Sequence, residues 1–239
     1  MDPIDAARKL ASAVRSSADE IEAEREIPRP LFEALADAGL FHLALPRSLG
    51  CPELDLPTYI QVIEVIAKAD ASTAWCINQG AIFATYAARM PRETARAIWI
   101  DTPRAVVANT PAPTAQAVVV PGGYRVTGRQ GFSTGCRHAA WLAPHAQVIE
   151  NGHVRLDNGQ PETRYLFVPA AEAQLLDTWH VRGMRGTERS AWPGAVWPRS
   201  WSWRGPRRRG PPRGSSATSR WSRPTSAMPR PTSAPGAPS

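Results

Sequence analysis

Apolar residues recur every three or four positions through roughly the first hundred residues of this chain, as on one face of an α-helix. The segment 72–90 is apolar on nearly every side, which predicts a helix buried all round with Trp75 in the core. Gly39 is placed to end the second predicted helix. The full set of expected helices is 4–23, 31–40, 59–68, 72–90 and 92–100.

The pattern changes after residue 105, where short runs rich in β-branched and aromatic residues follow one another. These runs are 106–107, 117–120, 124–127, 140–143, 146–149, 165–168 and 175–181. Gly-Gly at 122–123 and Asn-Gly at 151–152 and 158–159 favour two-residue hairpin turns, because such turns need positive φ. Closely spaced short strands predict an antiparallel sheet or barrel.

The sequence therefore predicts an α+β fold in three parts. A helical N-terminal domain covers 1–103, an antiparallel, barrel-like β domain covers 104–188, and a tail covers 189–239. The tail is rich in proline, which forbids long helices and central strands, and poor in large apolar residues other than tryptophan. We expect the tail to be disordered.

The net charge of +7 belongs to the tail. Nine of the 28 basic residues and none of the 21 acidic residues lie after residue 189, so the rest of the chain is nearly neutral. The arginine run 207–209 and the tryptophans around it could bind single-stranded nucleic acid through phosphate contacts and stacking. The tail contains no repeat or module typical of such binders, which makes this the weaker hypothesis.

Several features bear on location and metals. We find no secretory signal and no apolar run long enough to cross a membrane. The three cysteines are odd in number and form no CxxC pair, which favours a reducing cytoplasm over a disulfide or zinc framework. We expect a cytoplasmic protein without metal. The histidines, none in a metal-site spacing, are His42, His138, His145, His153 and His180.

Three segments, in the same order and spacing, resemble the acyl-CoA dehydrogenase superfamily. The first, 38–75, contains Ala-Gly-Leu-Phe and Ala-Asp-Ala-Ser-Thr-Ala-Trp, with Cys51 where a second glycine is usual. The second, 122–141, contains Gly-Gly-Tyr-Arg-Val-Thr-Gly and Phe-Ser-Thr-Gly, and the third, 179–187, reads Trp-His-Val-Arg-Gly-Met-Arg-Gly-Thr. The resemblance covers about residues 5–187 and implies the helical and β domains of that superfamily.

Within the superfamily, the second segment is most similar to flavin-dependent, two-component monooxygenases, whose oxygenase components hydroxylate aromatic or polycyclic compounds. Gln130 stands where those proteins usually have tryptophan. The loop 109–117 lacks the acid and the Gly-Ser pair with which dehydrogenases would hold an FAD pyrophosphate. The resemblance therefore implies reduced FMN or FAD that a separate flavin reductase supplies, and a small-molecule substrate.

The resemblance implies flavin contacts at Asn109, Phe132, Ser133, Thr134, Gly135 and Trp179. Hydroxyls and backbone N–H groups suit the polar edge of a flavin, and aromatic rings suit its plane. Taken alone, the run 132–135 is typical of a strand end with a turn, and Trp179 of a core aromatic. Arg185 suits either a phosphate or an acidic partner, Cys136 has no evident base beside it, and His138 is typical of a surface residue.

The resemblance also implies a homo-oligomer and a C-terminal helical bundle that carries the catalytic base, which leaves the catalytic residue unknown. From about Ser190 the residue usage changes abruptly, almost wholly to Arg, Trp, Pro, Ser, Gly, Ala and Thr. This change is typical of a frameshift and predicts a truncated oxygenase component with weak flavin binding and little catalysis. The alternatives are an acyl-CoA dehydrogenase that oxidises a CH–CH bond, an inactive fragment, and the basic-tail nucleic-acid binder.

Overall fold

The computed structural model describes residues 2–102, 104–187, 190–193 and 201–202. Helices come first and strands follow, so the predicted α+β class is confirmed. Most of the tail that we expect to be disordered lies outside the described residues, as does the arginine run 207–209. Two short stretches of the tail are nonetheless β-strands, because each pairs with a strand of the preceding β region.

Three of the described α-helices begin at an aspartate that caps the helix. Asp2, Asp55 and Asp70 each accept a hydrogen bond from a backbone N–H of the first turn that follows. None of the described helices is long and apolar enough to cross a lipid bilayer. The α-helices are α1 (Pro3–Ser16), α2 (Ala18–Glu24), α3 (Arg29–Asp37), α4 (Leu56–Ala67), α5 (Ala71–Phe83) and α6 (Arg92–Trp99).

Two of the expected helices are interrupted in the structure. The expected helix 4–23 is interrupted at Ser17, whose φ of −93° and ψ of 0° separate α1 from α2. The expected helix 72–90 ends as an α-helix at Phe83 and continues as a 3-10 helix, Ala84–Arg89. Gly39 has a φ of 75° just after α3, as its position at a helix end predicts.

The helices α1, α3, α4 and α5 share an apolar core. The prediction that Trp75 lies in that core is wrong, because Trp75 is 36% exposed. Since α5 is apolar on nearly every side, periodicity cannot decide which of its faces is buried, and packing buries Ser72, Thr73 and Ile77 instead. Fully buried core residues include Val14, Leu35, Val62, Ile66 and Ile77.

The β region contains a main sheet with the strand order β1-β5-β10-β6-β2-β3, to which β7 and β12 add as neighbours of β6 and β10. Two smaller pairs are β4 with β11 and β8 with β9. The strands are β1 (Val107–Asn109), β2 (Ala115–Val120), β3 (Gly123–Thr127), β4 (Arg129–Ser133), β5 (Trp141–Ala143), β6 (His145–Glu150), β7 (His153–Val154), β8 (Leu156–Asp157), β9 (Gln160–Pro161), β10 (Thr163–Pro169), β11 (Ser190–Pro193) and β12 (Trp201–Ser202).

The main sheet is mixed. Strand β2 is antiparallel to β3, and β10 is antiparallel to β5 and β6, as the sequence predicts. The pairs β1–β5 and β2–β6 are parallel, which the sequence does not predict. Parallel neighbours need a long connection, and here other strands supply it, so no local turn signal marks these two pairs.

The Asn-Gly turns behave as predicted, and one strand does not form. Asn151 and Gly152 have φ of 52° and 81°, and Asn158 and Gly159 have φ of 53° and 78°, so both dipeptides carry two successive positive φ values. The expected strand 175–181 is wrong, because only an isolated bridge at its second residue is present. Side-chain bonds hold this segment, as described below.

Aromatic rings fill the junction between helices and sheet. Phe83 stacks on Tyr86 with ring centroids 4.5 Å apart and meets Tyr165 edge-on at 5.1 Å. Trp99 meets Phe167 edge-on at 5.6 Å. These rings belong to one apolar cluster that includes residues of α5, α6, β1 and β10, so the helices and the sheet share a core.

His42 links the helical part to the segment that leads into β1. Its Nε2 lies 2.7 Å from the carbonyl oxygen of Ala105, so the neutral ring donates a hydrogen bond there. Burial lowers the pKa of His42 below its ordinary value of 6.5. On acidification the unfolded chain therefore takes up this proton before the folded protein does. The contribution of the neutral ring to the free energy of unfolding should be complete above the ordinary pKa of 6.5 and should decrease as the pH falls below it.

We expect His42→Gln to flatten this part of the pH dependence of stability. The measurement is the free energy of unfolding from urea titrations at about pH 7.5 and about pH 5.5. His153→Gln is the matched control, because His153 is exposed on β7 and should leave the difference between the two pH values unchanged. If the free energy of unfolding of His42→Gln differs between the two pH values as much as that of the parent chain, the pH dependence does not come from His42.

Candidate functional site

Strand β4 and the turn after it carry four of the six predicted site residues. Phe132 is 59% exposed and Ser133 is fully buried, because successive side chains of a strand point to opposite faces. Phe132 also has a φ of 61°, a left-handed conformation that is uncommon for residues other than glycine. The strand thus ends with an exposed aromatic ring on a strained backbone, which is more often found at functional sites than elsewhere.

The Ser133 hydroxyl is buried and has no hydrogen-bond partner in the described part of the chain. Thr134 beside it is 7% exposed. Gly135 has a φ of 72°, and its N–H donates to the carbonyl oxygen of Thr187 at 3.1 Å. A buried polar group without a partner is costly, so this turn is suited to a group that brings a donor or acceptor to Ser133.

Trp179 lies beside Phe132. Their ring centroids are 6.2 Å apart and the planes meet at 73°, an edge-to-face arrangement. The indole Nε1 donates to the carbonyl oxygen of Met184 at 3.0 Å, which fixes the ring against its own segment. The structure thus brings Trp179 together with the 132–135 turn, although the two are far apart in sequence. Trp179 is half-buried, so it is not the fully buried core aromatic that its position, taken alone, predicts.

Asn109 is the last residue of β1 and is half-buried, opposite Ala143 of β5. The next residue connects β1 to the site strand, because the Thr110 hydroxyl donates to Gln130 Oε1 at 2.7 Å. Within the described part of the chain, no hydrogen bond joins the Asn109 side chain to the turn 132–135. Its role in the site stays a prediction.

Gln130 occupies a buried position that anchors β4 to the main sheet. Gln130 is 1% exposed. Its Oε1 accepts from Thr110, and its Nε2 donates to the carbonyl oxygen of His145 at 2.6 Å. The backbone N–H of His145 in turn donates to the Thr110 hydroxyl at 3.3 Å. An amide can close this network, whereas an indole has a donor and no acceptor. Gln130 therefore joins β4 to Thr110 and His145, at a position that the sequence marked only as a departure from the usual tryptophan.

Two charged clusters hold the segment 177–184, which carries Trp179, and the adjoining Arg185 against the end of α2. Arg25, the residue after α2, donates to Asp177 Oδ1 at 2.6 Å, and Arg137 lies 3.7 Å from the same carboxylate. The guanidinium of Arg25, then that of Arg137, lowers the pKa of Asp177. Arg185 donates to the carbonyl oxygen of Glu22 at 2.8 Å and lies 3.3 Å from its carboxylate. Of the two alternatives for Arg185, the structure shows the acidic partner.

His138 and Cys136 have structural positions. His138 Nε2 lies 2.8 Å from the carbonyl oxygen of Ile27, and its ring stacks on Phe32 at 4.4 Å, so it joins the β region to the helices. It is half-buried, and the prediction of a surface residue is wrong. Cys136 is buried in a small apolar cluster with Ala108 and Leu142.

Comparisons with known proteins agree with this architecture. The sequence profile of the acyl-CoA dehydrogenase N-terminal domain matches residues 4–102. The chain is 30% identical over 184 residues to the oxygenase component of an FADH(2)-dependent resorcinol hydroxylase from Rhizobium sp., which covers 74% of this chain and 42% of that protein. The chain thus spans less than half the length of the curated relatives that it matches.

Solved structures have the same fold. The HsaA monooxygenase from Mycobacterium tuberculosis superposes with a TM-score of 0.75 at 26% identity, over 84% of this chain and 52% of that one. XiaF from Streptomyces sp., in complex with FADH2 and glycerol, superposes with a TM-score of 0.73 at 28% identity, over 84% and 50%. Residues 4–102 thus match the acyl-CoA dehydrogenase N-terminal domain, and the chain as a whole is similar to oxygenase components of flavin-dependent monooxygenases.

Proposed function

We propose that this chain carries the flavin-facing part of an oxygenase component that hydroxylates an aromatic or polycyclic compound with reduced flavin. Three independent lines support the proposal. The first is the chain's similarity to a resorcinol hydroxylase oxygenase component and to the HsaA and XiaF structures. The second is the chemistry of the turn 132–135. The third is the aromatic pair that Phe132 and Trp179 form beside that turn.

The observation that carries the proposal is the buried hydroxyl of Ser133, which has no hydrogen-bond partner among the described residues, next to the exposed ring of Phe132. A flavin ring has an apolar plane and an edge of hydrogen-bonding atoms, so it would use both features at once. The residues present therefore fit a flavin. Ser133 and Thr134 would hold its polar edge, Phe132 and Trp179 would pack on its plane, and Gly135 would leave room for close approach.

A bound flavin would supply the redox chemistry, and the described residues would orient it and limit its access to water. The half-buried Trp179 and the buried Ser133 shield one side of the site from solvent. Among the described residues we assign no catalytic base, because His138 Nε2 donates to the carbonyl oxygen of Ile27 and His42 is buried against Ala105.

The form of the flavin is part of the proposal. We infer reduced FMN or FAD delivered by a separate flavin reductase, in a cytoplasmic, homo-oligomeric enzyme. The loop between β1 and β2 supports exchange of the flavin rather than tight retention, because it lacks an acid and a Gly-Ser pair that could hold a pyrophosphate. The division of the chain at about residue 103 into a helical and a β domain also stays a proposal.

Dehydrogenation of an acyl-CoA is the second candidate function. The matched N-terminal domain supports it, since its profile carries the acyl-CoA dehydrogenase description. The two candidates differ in co-substrate. A monooxygenase consumes oxygen with reduced flavin and a phenolic compound, whereas a dehydrogenase reduces an electron acceptor with an acyl-CoA. Nucleic-acid binding by the arginine run 207–209 lies outside the described residues.

The test is a titration of the full chain with reduced FMN and with FADH2 under anaerobic conditions. We expect Ser133→Ala to weaken binding by about tenfold, the effect of one lost hydrogen bond in a buried site, while the free energy of unfolding without flavin stays the same or rises. Thr73→Val is the matched control, because the Thr73 hydroxyl is equally buried and without a partner among the described residues but belongs to α5. Equal flavin affinity in Ser133→Ala and the parent chain would overturn the assignment.

A further inference from the structure

The segment 177–184 carries Trp179 and belongs to no helix or strand. The ring of Trp179 is bonded within the same segment, through Nε1 to the carbonyl oxygen of Met184. Such a segment has no backbone ladder to place it, so its position relative to the rest of the protein depends on bonds from outside. At Trp179 itself, a side chain from outside the segment donates a hydrogen bond to the backbone carbonyl oxygen.

Arg25 makes that bond. Its Nη1 donates to the carbonyl oxygen of Trp179 at 3.0 Å and to Asp177 Oδ1 at 2.6 Å, and its Nη2 donates to the other oxygen of the same carboxylate. The side chain of Arg25 is 19% exposed, which shields these bonds from water. One guanidinium thus binds both the carboxylate of Asp177 and the carbonyl oxygen of Trp179, two residues further along the segment.

The backbone at Arg25 is unusual in the same place. Arg25 has a φ of 61°, a left-handed conformation directly after α2. This conformation is uncommon outside glycine and asparagine, so the contacts of the side chain help to maintain it. Glu26, the next residue, pairs with Arg137 at 3.1 Å, and Arg137 also approaches Asp177. The turn after α2 and the Trp179 segment are therefore joined by a small network of alternating charges.

We propose that Arg25 is a positioning residue for Trp179, and through Trp179 for the Phe132–Trp179 pair. The proposal rests on the proposed function, in which this pair packs on the flavin plane. Only a guanidinium can bind a carboxylate through two N–H groups and donate to a carbonyl as well, because its donors lie in one fixed plane. Lysine keeps the charge but lacks this geometry, so Arg25→Lys separates positioning from electrostatics.

Position is measured first without flavin. The full chain is labelled with 5-fluorotryptophan, and the ¹⁹F resonance of Trp179 is the one that Trp179→Phe removes. We expect Arg25→Lys to shift and broaden this resonance. Arg104→Lys is the matched control, because Arg104 also has a positive φ, of 51°, and binds a carboxylate through two donors, at 2.7 and 2.9 Å, but that carboxylate is Asp37 of α3. An unchanged Trp179 resonance in Arg25→Lys overturns the proposal, whatever happens to flavin binding.

Flavin affinity then tests the consequence. We expect Arg25→Lys to raise the dissociation constant for FMN about tenfold in the parent chain and about twofold or less in a Trp179→Ala background. An equal increase in both backgrounds means that Arg25 acts elsewhere, and this overturns the proposal. If Arg25→Lys moves the Trp179 resonance while Trp179→Ala leaves the FMN affinity unchanged, Arg25 does position Trp179, and the proposed flavin contact of Trp179 is what fails.

Discussion

Gly186→Ala is expected to lower the free energy of unfolding by about 3 kcal/mol, since overpacking a filled site commonly costs about this much. A Cβ at Gly186 would lie 2.1 Å from Ile21 Cγ2 and 3.0 Å from Ser72 Cβ. Ile21 is 1% exposed and Ser72 lies within α5, so neither can move aside without repacking its helix. The sequence motif around Gly186 thus has a steric reason, namely close contact with α2 and α5.

The measurement is the free energy of unfolding from urea titrations of Gly186→Ala and of Gly183→Ala, which is the matched control. Nothing lies within 4 Å of a Cβ built at Gly183, so that change should be nearly neutral. Ile21→Ala removes the methyl group that Gly186→Ala would meet, so the double variant should lose less stability than the sum of the two single variants. A Gly186→Ala protein as stable as the Gly183→Ala protein would refute the close contact.

Phe132→Asn is expected to separate stability from function. Asparagine tolerates the left-handed backbone better than phenylalanine, so relief of the strain at φ 61° should raise the free energy of unfolding by about 1 kcal/mol. The same change removes an exposed ring from the pair with Trp179, and we expect it to weaken reduced-flavin binding by about tenfold. A gain in stability with a loss of binding is typical of residues retained for function.

Two further variants distinguish the strain from the ring. Phe132→Leu keeps a side chain that is strained in this conformation and loses the aromatic plane, so it should bind flavin weakly without gaining stability. Phe132→Tyr keeps both features and should resemble the parent chain in both measurements. If Phe132→Leu binds flavin as tightly as the parent chain, the ring does not contact flavin, and the positive φ needs another explanation.

The resemblance to a superfamily singled out the turn 132–135 and Trp179, which lie together in the structure, but it did not predict what holds them there. Arg25 and Asp177 are 152 residues apart, and neither belongs to a pattern that single-sequence reasoning can detect. The Gln130 network shows the same limit. The sequence marks Gln130 only as a departure from the usual tryptophan, whereas its bonds to Thr110 and His145 depend on three separate strands and loops meeting in space.

Local interactions explain what was predictable. The helix end at Gly39 depends on the left-handed backbone that glycine adopts easily, and the Asn-Gly turns depend on the conformational freedom of two residues. The change of apolar period near residue 105 likewise reports which side of each element faces a core. These preferences operate over a few residues, so the sequence alone determines them.

Tertiary structure decided the rest, because those features depend on which distant elements meet. The two parallel strand pairs, the exposure of Trp75 and the irregular path of 175–181 each result from competition between partners for the same surface. An all-apolar helix such as α5 has no preferred face until its neighbours are placed. By itself, the sequence determined the α+β order of elements and the two Asn-Gly turns, and only packing determined that, within the described part of the chain, the Ser133 hydroxyl is buried without a hydrogen-bond partner while Phe132 remains exposed beside Trp179.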